Sequence, residues 1–188
     1  AAKDSHKNIV VVHTALSVFE SVAKEVVVGH KSVRQDGALD LYPVKFATAD
    51  YGPIVLDILR KKPDAVIGIL PQGETIALAK ELRQQGSKIE LYSYGPASTN
   101  SLIDTGGAAV EGLKALAHVV PPNSETPAVR EYREALAKYS PNEKPDYGSL
   151  FSWANAKIFV EAVRRIDGPI NRANLVKAME TLRNYETG

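Results

Sequence analysis

Cysteine is missing from all 188 residues of this sequence. Its absence excludes disulfide bonds, thiolate metal sites and cysteine nucleophiles together. Neither sign of charge dominates, because the sequence has 23 Lys and Arg residues and 22 Asp and Glu residues, which gives a net charge of +1. Proteins that hold nucleic acid or an anionic membrane surface by charge usually carry a basic excess. We therefore expect no nucleic-acid partner and no electrostatic attachment to a membrane.

Long hydrophobic runs and common catalytic motifs are also absent. No apolar run approaches the roughly 20 residues that cross a bilayer, so the chain as given is expected to be soluble. The first residues contain no apolar signal core, so we expect a signal peptide either to have been removed or never to have existed. GxGxxG, GxxxxGK(S/T), HExxH and GxSxG do not occur, which removes the signatures of dinucleotide, P-loop, zinc-protease and hydrolase sites. The four histidines show no ligand-pair spacing. We therefore expect neither a metal nor a cofactor.

Short apolar runs rich in β-branched residues alternate with helical patterns over the first half of the chain. The strand patterns cover residues 8–13, 39–46, 66–70 and 89–94. The helical patterns cover residues 17–33, 51–60, a stretch ending at Gly86 and a short stretch ending near Gly106-Gly107. Pro43 places the second strand at a sheet edge. Strands alternating with helices predict an α/β fold, with a parallel, Rossmann-like sheet sandwiched by helices.

The pattern changes after the fourth strand. We interpret residues 110–120 as one further extended segment that crosses out of the sheet and is ended by Pro121. Only helical patterns follow, at residues 127–138, 148–166 and 171–182, the last with Asn171 as its N-cap. Three helices without a sheet of their own need an apolar surface to cover. We predict that they expose apolar faces or bury them against a second copy of the chain, which would then self-associate.

The order of these segments carries a resemblance to a known family. The segments are KNIVVVH, KKPDAVIGILPQGETIALAKELRQQGSKIELYSYG, AAVEGLKALAHVVPP, PAVREYREALAKYS, PDYGSLFSWANAKIFVEAVRRI and NRANLVKAMETLRNY. Together they resemble the C-terminal half of a type I periplasmic binding protein of the branched-chain amino-acid (Leu/Ile/Val-type) family of ABC-transporter substrate-binding proteins. The resemblance implies that residues 1–120 are the second α/β lobe. It implies that residues 121–188 are helices that pack on a first lobe outside this fragment.

The same resemblance implies which loops face the ligand: those after the first, third and fourth strands. The candidate ligand contacts are Thr14, Gln72, Glu74, Thr75, Ser98, Thr99, Asn100 and, from the first-lobe side, Tyr147. Two alternatives stay open. Glu74 also suits the first turn of a helix, where the dipole favours an acid. The stretch from Ser98 to Asn100 also suits an N-cap cluster.

Two departures from the family pattern bear on the ligand. No Tyr-Gly follows the first strand, and the helical spacing of the nearby Phe19 favours core packing over ligand contact. The loop of residues 94–100 lacks the acid with which amino-acid binders typically pair the ligand ammonium. A buried ammonium without a counter-charge is costly. The hydroxyls and amide of this loop instead suit a carboxylate or a neutral polar group.

The resemblance implies a periplasmic, non-catalytic solute-binding protein of an ABC importer, which closes two hinged lobes over a small ligand. Its partners would be that ligand and a membrane permease. A second hypothesis is the ligand-sensing domain of a receptor or regulator with the same fold. A third, an α/β enzyme, needs a cluster of ionisable residues at the strand ends, where the loops offer only Glu74 and His13.

Overall fold

The computed structural model describes residues 6–33, 36–95 and 99–185. The chain divides into two units, Ala1–Leu116 and Ala117–Gly188. The first unit is a parallel sheet with helices, and the second is helical. Within the described residues, no helix is long and apolar enough to cross a membrane.

The first unit contains five parallel strands in the order β2-β1-β3-β4-β5. The strands are β1 (Asn8–Thr14), β2 (Ala38–Val44), β3 (Ala65–Ile69), β4 (Glu90–Tyr94) and β5 (Lys114–Leu116). The helices are α1 (Ser17–Val33), α2 (Gly52–Arg60), α3 (Gln72–Gln84) and α4 (Asn100–Gly106). The predicted α/β fold with a parallel sheet is confirmed, and β2 with Pro43 lies at the sheet edge as expected.

Side chains of β1 alternate between two apolar cores, one on each face of the sheet. Val10 and Val12 point into the larger core, which also contains Ile58 of α2 and Leu82 of α3. Ile9 and Val11 belong to a smaller core with Ala23 and Phe19 of α1. Because β1 is central and covered on both faces, its apolar residues form an unbroken run. Phe19 therefore packs in the core, as its helical spacing predicted.

The interpretation of residues 110–120 as one extended segment is wrong. A 3-10 turn occupies Gly107–Val110, and the extended part is the edge strand Lys114–Leu116, which pairs with β4. Gly106 packs closely against Val110 at this turn. A Cβ on residue 106 would lie 2.6 Å from a methyl group of Val110, so a larger side chain there would clash. Gly112 adopts φ 75°, a left-handed conformation that glycine takes at little cost. Val110 and Leu113 of this stretch pack on the larger core.

The second unit consists of α5 (Pro127–Tyr139), α6 (Tyr147–Arg164) and α7 (Arg172–Thr181). Its core is small and centres on Val129, Tyr132 and Leu150. Asn171 caps α7 as predicted, because its side chain accepts a hydrogen bond of 2.9 Å from the backbone N–H of Asn174. The prediction of exposed apolar residues on these helices is confirmed. They are Tyr139, Phe151, Phe159, Val160, Val176 and Met179.

Candidate functional site

The carboxyl ends of β1, β3 and β4 lie side by side, because these strands are neighbours in a parallel sheet. Thr14 is the last residue of β1, Gln72 to Thr75 follow β3, and Thr99 follows β4. The structure therefore brings Thr14, residues 72–75 and Thr99 to one edge, which we call the carboxyl edge. In open α/β sheets, ligands bind in the crevice beyond this edge.

The carboxylate of Glu74 is buried at this edge and accepts hydrogen bonds from three residues. Thr14 Oγ1 donates to Oε2 over 3.2 Å, and the Tyr51 hydroxyl donates to the same oxygen over 3.0 Å. The backbone N–H of Ala47 donates to Oε1 over 2.9 Å. Glu74 is only 8% exposed. Its oxygens have about four acceptor positions, so three protein donors leave little capacity for a ligand.

Tyr51 is a member of this cluster that the sequence analysis missed. It is nearly fully buried at the residue before α2. Burial raises the pKa of its hydroxyl well above the ordinary range, and the hydrogen bond to the Glu74 carboxylate raises this pKa further. The hydroxyl therefore stays protonated and donates across the whole neutral range. In the sequence, Tyr51 precedes Gly-Pro and looks like an ordinary helix start, so only a long-range contact identifies its role.

Gln72 links the starts of α3 and α4. Its Oε1 accepts from the Thr99 hydroxyl over 2.8 Å, and its Nε2 donates to Ser101 Oγ over 2.9 Å. Thr99 occupies the N-cap position of α4, but its side chain does not cap the helix. Its hydroxyl serves the contact with Gln72 instead. Gln72 and Thr99 are half-buried at the carboxyl edge.

The remaining predicted residues occupy different environments. Thr75 is wholly buried, and its hydroxyl donates to the carbonyls of Leu70 and Pro71 within its own loop. Asn100 is half-buried as the first residue of α4. Ser98 lies outside the described residues. An apolar cavity of about 620 Å³ adjoins this region, and Thr99 is the one predicted residue among those that line it.

Tyr147 belongs to the second unit and is nearly buried at the start of α6. Its hydroxyl accepts a hydrogen bond of 3.3 Å from the backbone N–H of His118 and lies 2.9 Å from Nδ1 of that histidine. Its ring stacks on Phe151, with centroids 6.1 Å apart and planes 5° from parallel. The more exposed aromatic of this pair is Phe151, at 39%. Among the residues that the structure describes, no group of three or more His, Asp or Glu side chains could hold a metal ion.

Solved structures match this fold over nearly the whole chain. A fatty acid ABC transporter substrate-binding protein from Thermomonospora curvata shares 22% identity at a TM-score of 0.85, covering 97% of this chain and 47% of its own. A possible leucine/isoleucine/valine-binding protein from Rhodopirellula baltica shares 21% identity at a TM-score of 0.87, covering 98% and 52%. An ABC transporter solute-binding protein from R. palustris in complex with benzoate shares 17% identity at a TM-score of 0.72, covering 95% and 47%.

The chain thus spans about half the length of the solved structures that it matches. No curated protein sequence matches it. The family described as periplasmic binding protein matches residues 1–188. The chain therefore belongs to the periplasmic binding protein family.

Proposed function

We propose that this chain is the ligand-binding second lobe, with helices of the first lobe, of an extracytoplasmic solute-binding protein of an ABC importer. Residues 1–120 form the second lobe in this proposal, and residues 121–188 pack on the first. The two lobes close over a small ligand without catalysis, and a membrane permease recognises the closed form. The observation that carries the proposal is the meeting of Gln72 and Thr99, from two different loops, at the carboxyl edge.

The proposed ligand is a small organic molecule with a carboxylate or an amide. The acid that the sequence offers at this edge, Glu74, already accepts three hydrogen bonds from the protein. Its oxygens therefore have little capacity left to accept hydrogen bonds from a ligand ammonium group. The Thr99 hydroxyl and the Gln72 and Asn100 amides suit carboxylate or amide groups. Two structures that the chain resembles are described with carboxylic acids, namely benzoate and fatty acid.

The binding site in this proposal is split between two lobes. The carboxyl edge supplies one half of the contacts in this proposal, and the first lobe supplies the other half. A ligand held by one lobe alone loses about half of its contacts and the exclusion of water. We therefore expect weak binding to this chain and much tighter binding to the protein at its full encoded length.

A thermal-shift screen tests the proposal. The 188-residue chain and the full-length protein are each screened with benzoate, short dicarboxylates, amides, leucine and a medium-chain fatty acid. A ligand at 100 times its Kd stabilises the folded protein by about 2.7 kcal/mol. We expect such a shift with a carboxylate or amide in the full-length protein and almost none in the chain. Absence of a shift from every compound in the full-length protein would contradict the transport function.

A variant pair locates the site within the same screen. Gln72→Ala removes the amide at the carboxyl edge, whereas Gln85→Ala removes an amide from the other end of α3. Loss of one hydrogen bond to a charged ligand corresponds to about 1.5–3 kcal/mol. The thermal shift should therefore shrink in Gln72→Ala and stay unchanged in Gln85→Ala. Equal shifts in both variants would place the ligand elsewhere.

A further inference from the structure

The loop of residues 45–51, which joins β2 to α2, is attached to the sheet by a side chain from a different loop. Ala47 adopts φ 56°, a left-handed conformation that alanine rarely takes. Its backbone N–H donates to the Glu74 carboxylate, and Tyr51 at the end of the loop donates to the same group. One buried carboxylate therefore holds the middle and the end of this loop.

The loop's own side chains form local bonds. The Thr48 hydroxyl donates to the Lys45 carbonyl, and the Gly52 N–H donates to the Asp50 carboxylate. These bonds shape turns within the segment but reach no other strand end. Glu74 differs, because it also accepts from Thr14 at the end of β1. The carboxylate thus joins the connections after β1, β2 and β3 at one point.

The unusual conformation of Ala47 determines the direction of the residue before it. Phe46 is 61% exposed, although aromatic side chains are usually covered. It lies two residues beyond Val44, the last residue of β2, and therefore near the carboxyl edge. If Ala47 relaxed to an ordinary conformation, the backbone on either side would rotate and Phe46 would move with it.

We infer that Glu74 is a positioning residue, whose carboxylate fixes the loop of residues 45–51 and thereby the surface that Phe46 presents at the carboxyl edge. Glu74 acts through Ala47 and Tyr51 rather than through contact with the ligand. The contact between this surface and a ligand rests on the proposed function. The role of Glu74 in holding the loop does not depend on that function, so an experiment can disprove either one without the other.

Amide hydrogen exchange measured by NMR on the 188-residue chain tests this inference without any ligand. Glu74→Met removes both acceptor oxygens at similar side-chain size, and Glu74→Gln restores one acceptor. Losing a hydrogen bond to a charged group should speed exchange of the Ala47 amide at least about tenfold in Glu74→Met. Glu74→Gln should recover part of the protection. Glu25→Met, an exposed glutamate of α1, serves as the matched control and should leave Ala47 unchanged.

The amide of Val11, in the centre of β1, separates positioning from general destabilisation. Exchange that speeds at Ala47 and not at Val11 supports the inference. Unchanged exchange at Ala47, or an equal increase at both amides, overturns it. If Glu74→Met does not fold, Tyr51→Phe removes one of the bonds to the same carboxylate. It should speed exchange at Ala47 severalfold, and an unchanged Ala47 amide in that variant also overturns the inference.

Discussion

The two units of this chain bury their apolar residues to very different extents. In the first unit, the central strand is covered on both faces, and residues such as Val12, Leu78 and Leu82 are fully buried. In the described part of the second unit, the large buried side chains are those of Val129, Tyr132, Tyr147 and Leu150, while Phe159, later in α6, is 50% exposed. The first unit thus has an apolar core on each face of its sheet. The second has helices whose apolar faces are only partly used.

The difference follows from how each element is covered. A parallel sheet between helices buries both faces with residues of its own unit. Three helices that pack only on one another bury one face each, and the residues on the opposite face of each helix stay exposed to solvent. In the proposed assignment to two lobes, these exposed faces would be those that pack on the first lobe. The exposed aromatic residues would then mark an interface rather than a free surface.

The largest expected effect is in the core of the first unit. Leu82→Ala removes a fully buried side chain from α3 and should lower the free energy of unfolding by about 2–5 kcal/mol. Leu56→Ala on α2 is the matched control, because Leu56 is 45% exposed. It should cost less than about 1 kcal/mol. Urea denaturation measures both values, and equal losses would mean that the two-faced core does not dominate the stability of this unit.

The second effect concerns the open faces of the helical unit. Phe159→Ser combined with Met179→Ser should weaken self-association of the chain about tenfold or more, since burying one such side chain yields roughly 1.5–3 kcal/mol. Val28→Ser, on the exposed side of α1 in the first unit, should not. Sedimentation velocity over a concentration series gives the association constants. A chain that stays monomeric at every concentration, or that responds equally to Val28→Ser, would contradict the expected association.

A smaller effect tests the local structure of the second unit. Asn171→Ala removes the N-cap of α7 and should cost about 1 kcal/mol. Asn171→Asp keeps an acceptor for the Asn174 N–H and should retain most of that stability. Denaturation followed by helical circular dichroism compares the two variants. If Asn171→Asp were as unstable as Asn171→Ala, the hydrogen bond would not be the source of the effect.

The smallest effect lies on the first unit's surface, where Glu90 accepts hydrogen bonds from Lys114, Tyr92 and His6. These contacts, with Lys114 contributing most, lower the pKa of Glu90 to about 2. Because this pKa lies below that of the unfolded chain, the stabilisation is present above pH 4.5 and is lost as the pH falls toward 2. Lys114→Gln should raise the pKa toward its ordinary value. Carboxyl NMR titration measures this shift, and an unchanged titration would assign the low pKa to Tyr92 and His6.

Much of the fold could be predicted from the sequence, because its signals are local. The β-branched runs of β1 and β3, the edge position of Pro43 and the Asn171 cap each depend on a few neighbouring residues. The prediction for residues 110–120 was wrong, because Val110 and Leu113 pack on the larger core around a turn. Whether such a segment is a strand or a turn depends on what it packs against. Its own pattern does not contain that information.

The candidate site shows the same division. The sequence by itself determined the parallel α/β unit, in which all strands point their carboxyl ends the same way. That Thr14, Glu74 and Thr99 share one edge was implied by the family resemblance, and the strand order of the structure brings them there. Only the tertiary structure decided that Glu74 is committed to Thr14, Tyr51 and Ala47. These partners are 23 to 60 residues away in the chain. A hydrogen bond depends on distances of a few ångströms, and residues so far apart in sequence reach them only through the packing of the whole sheet.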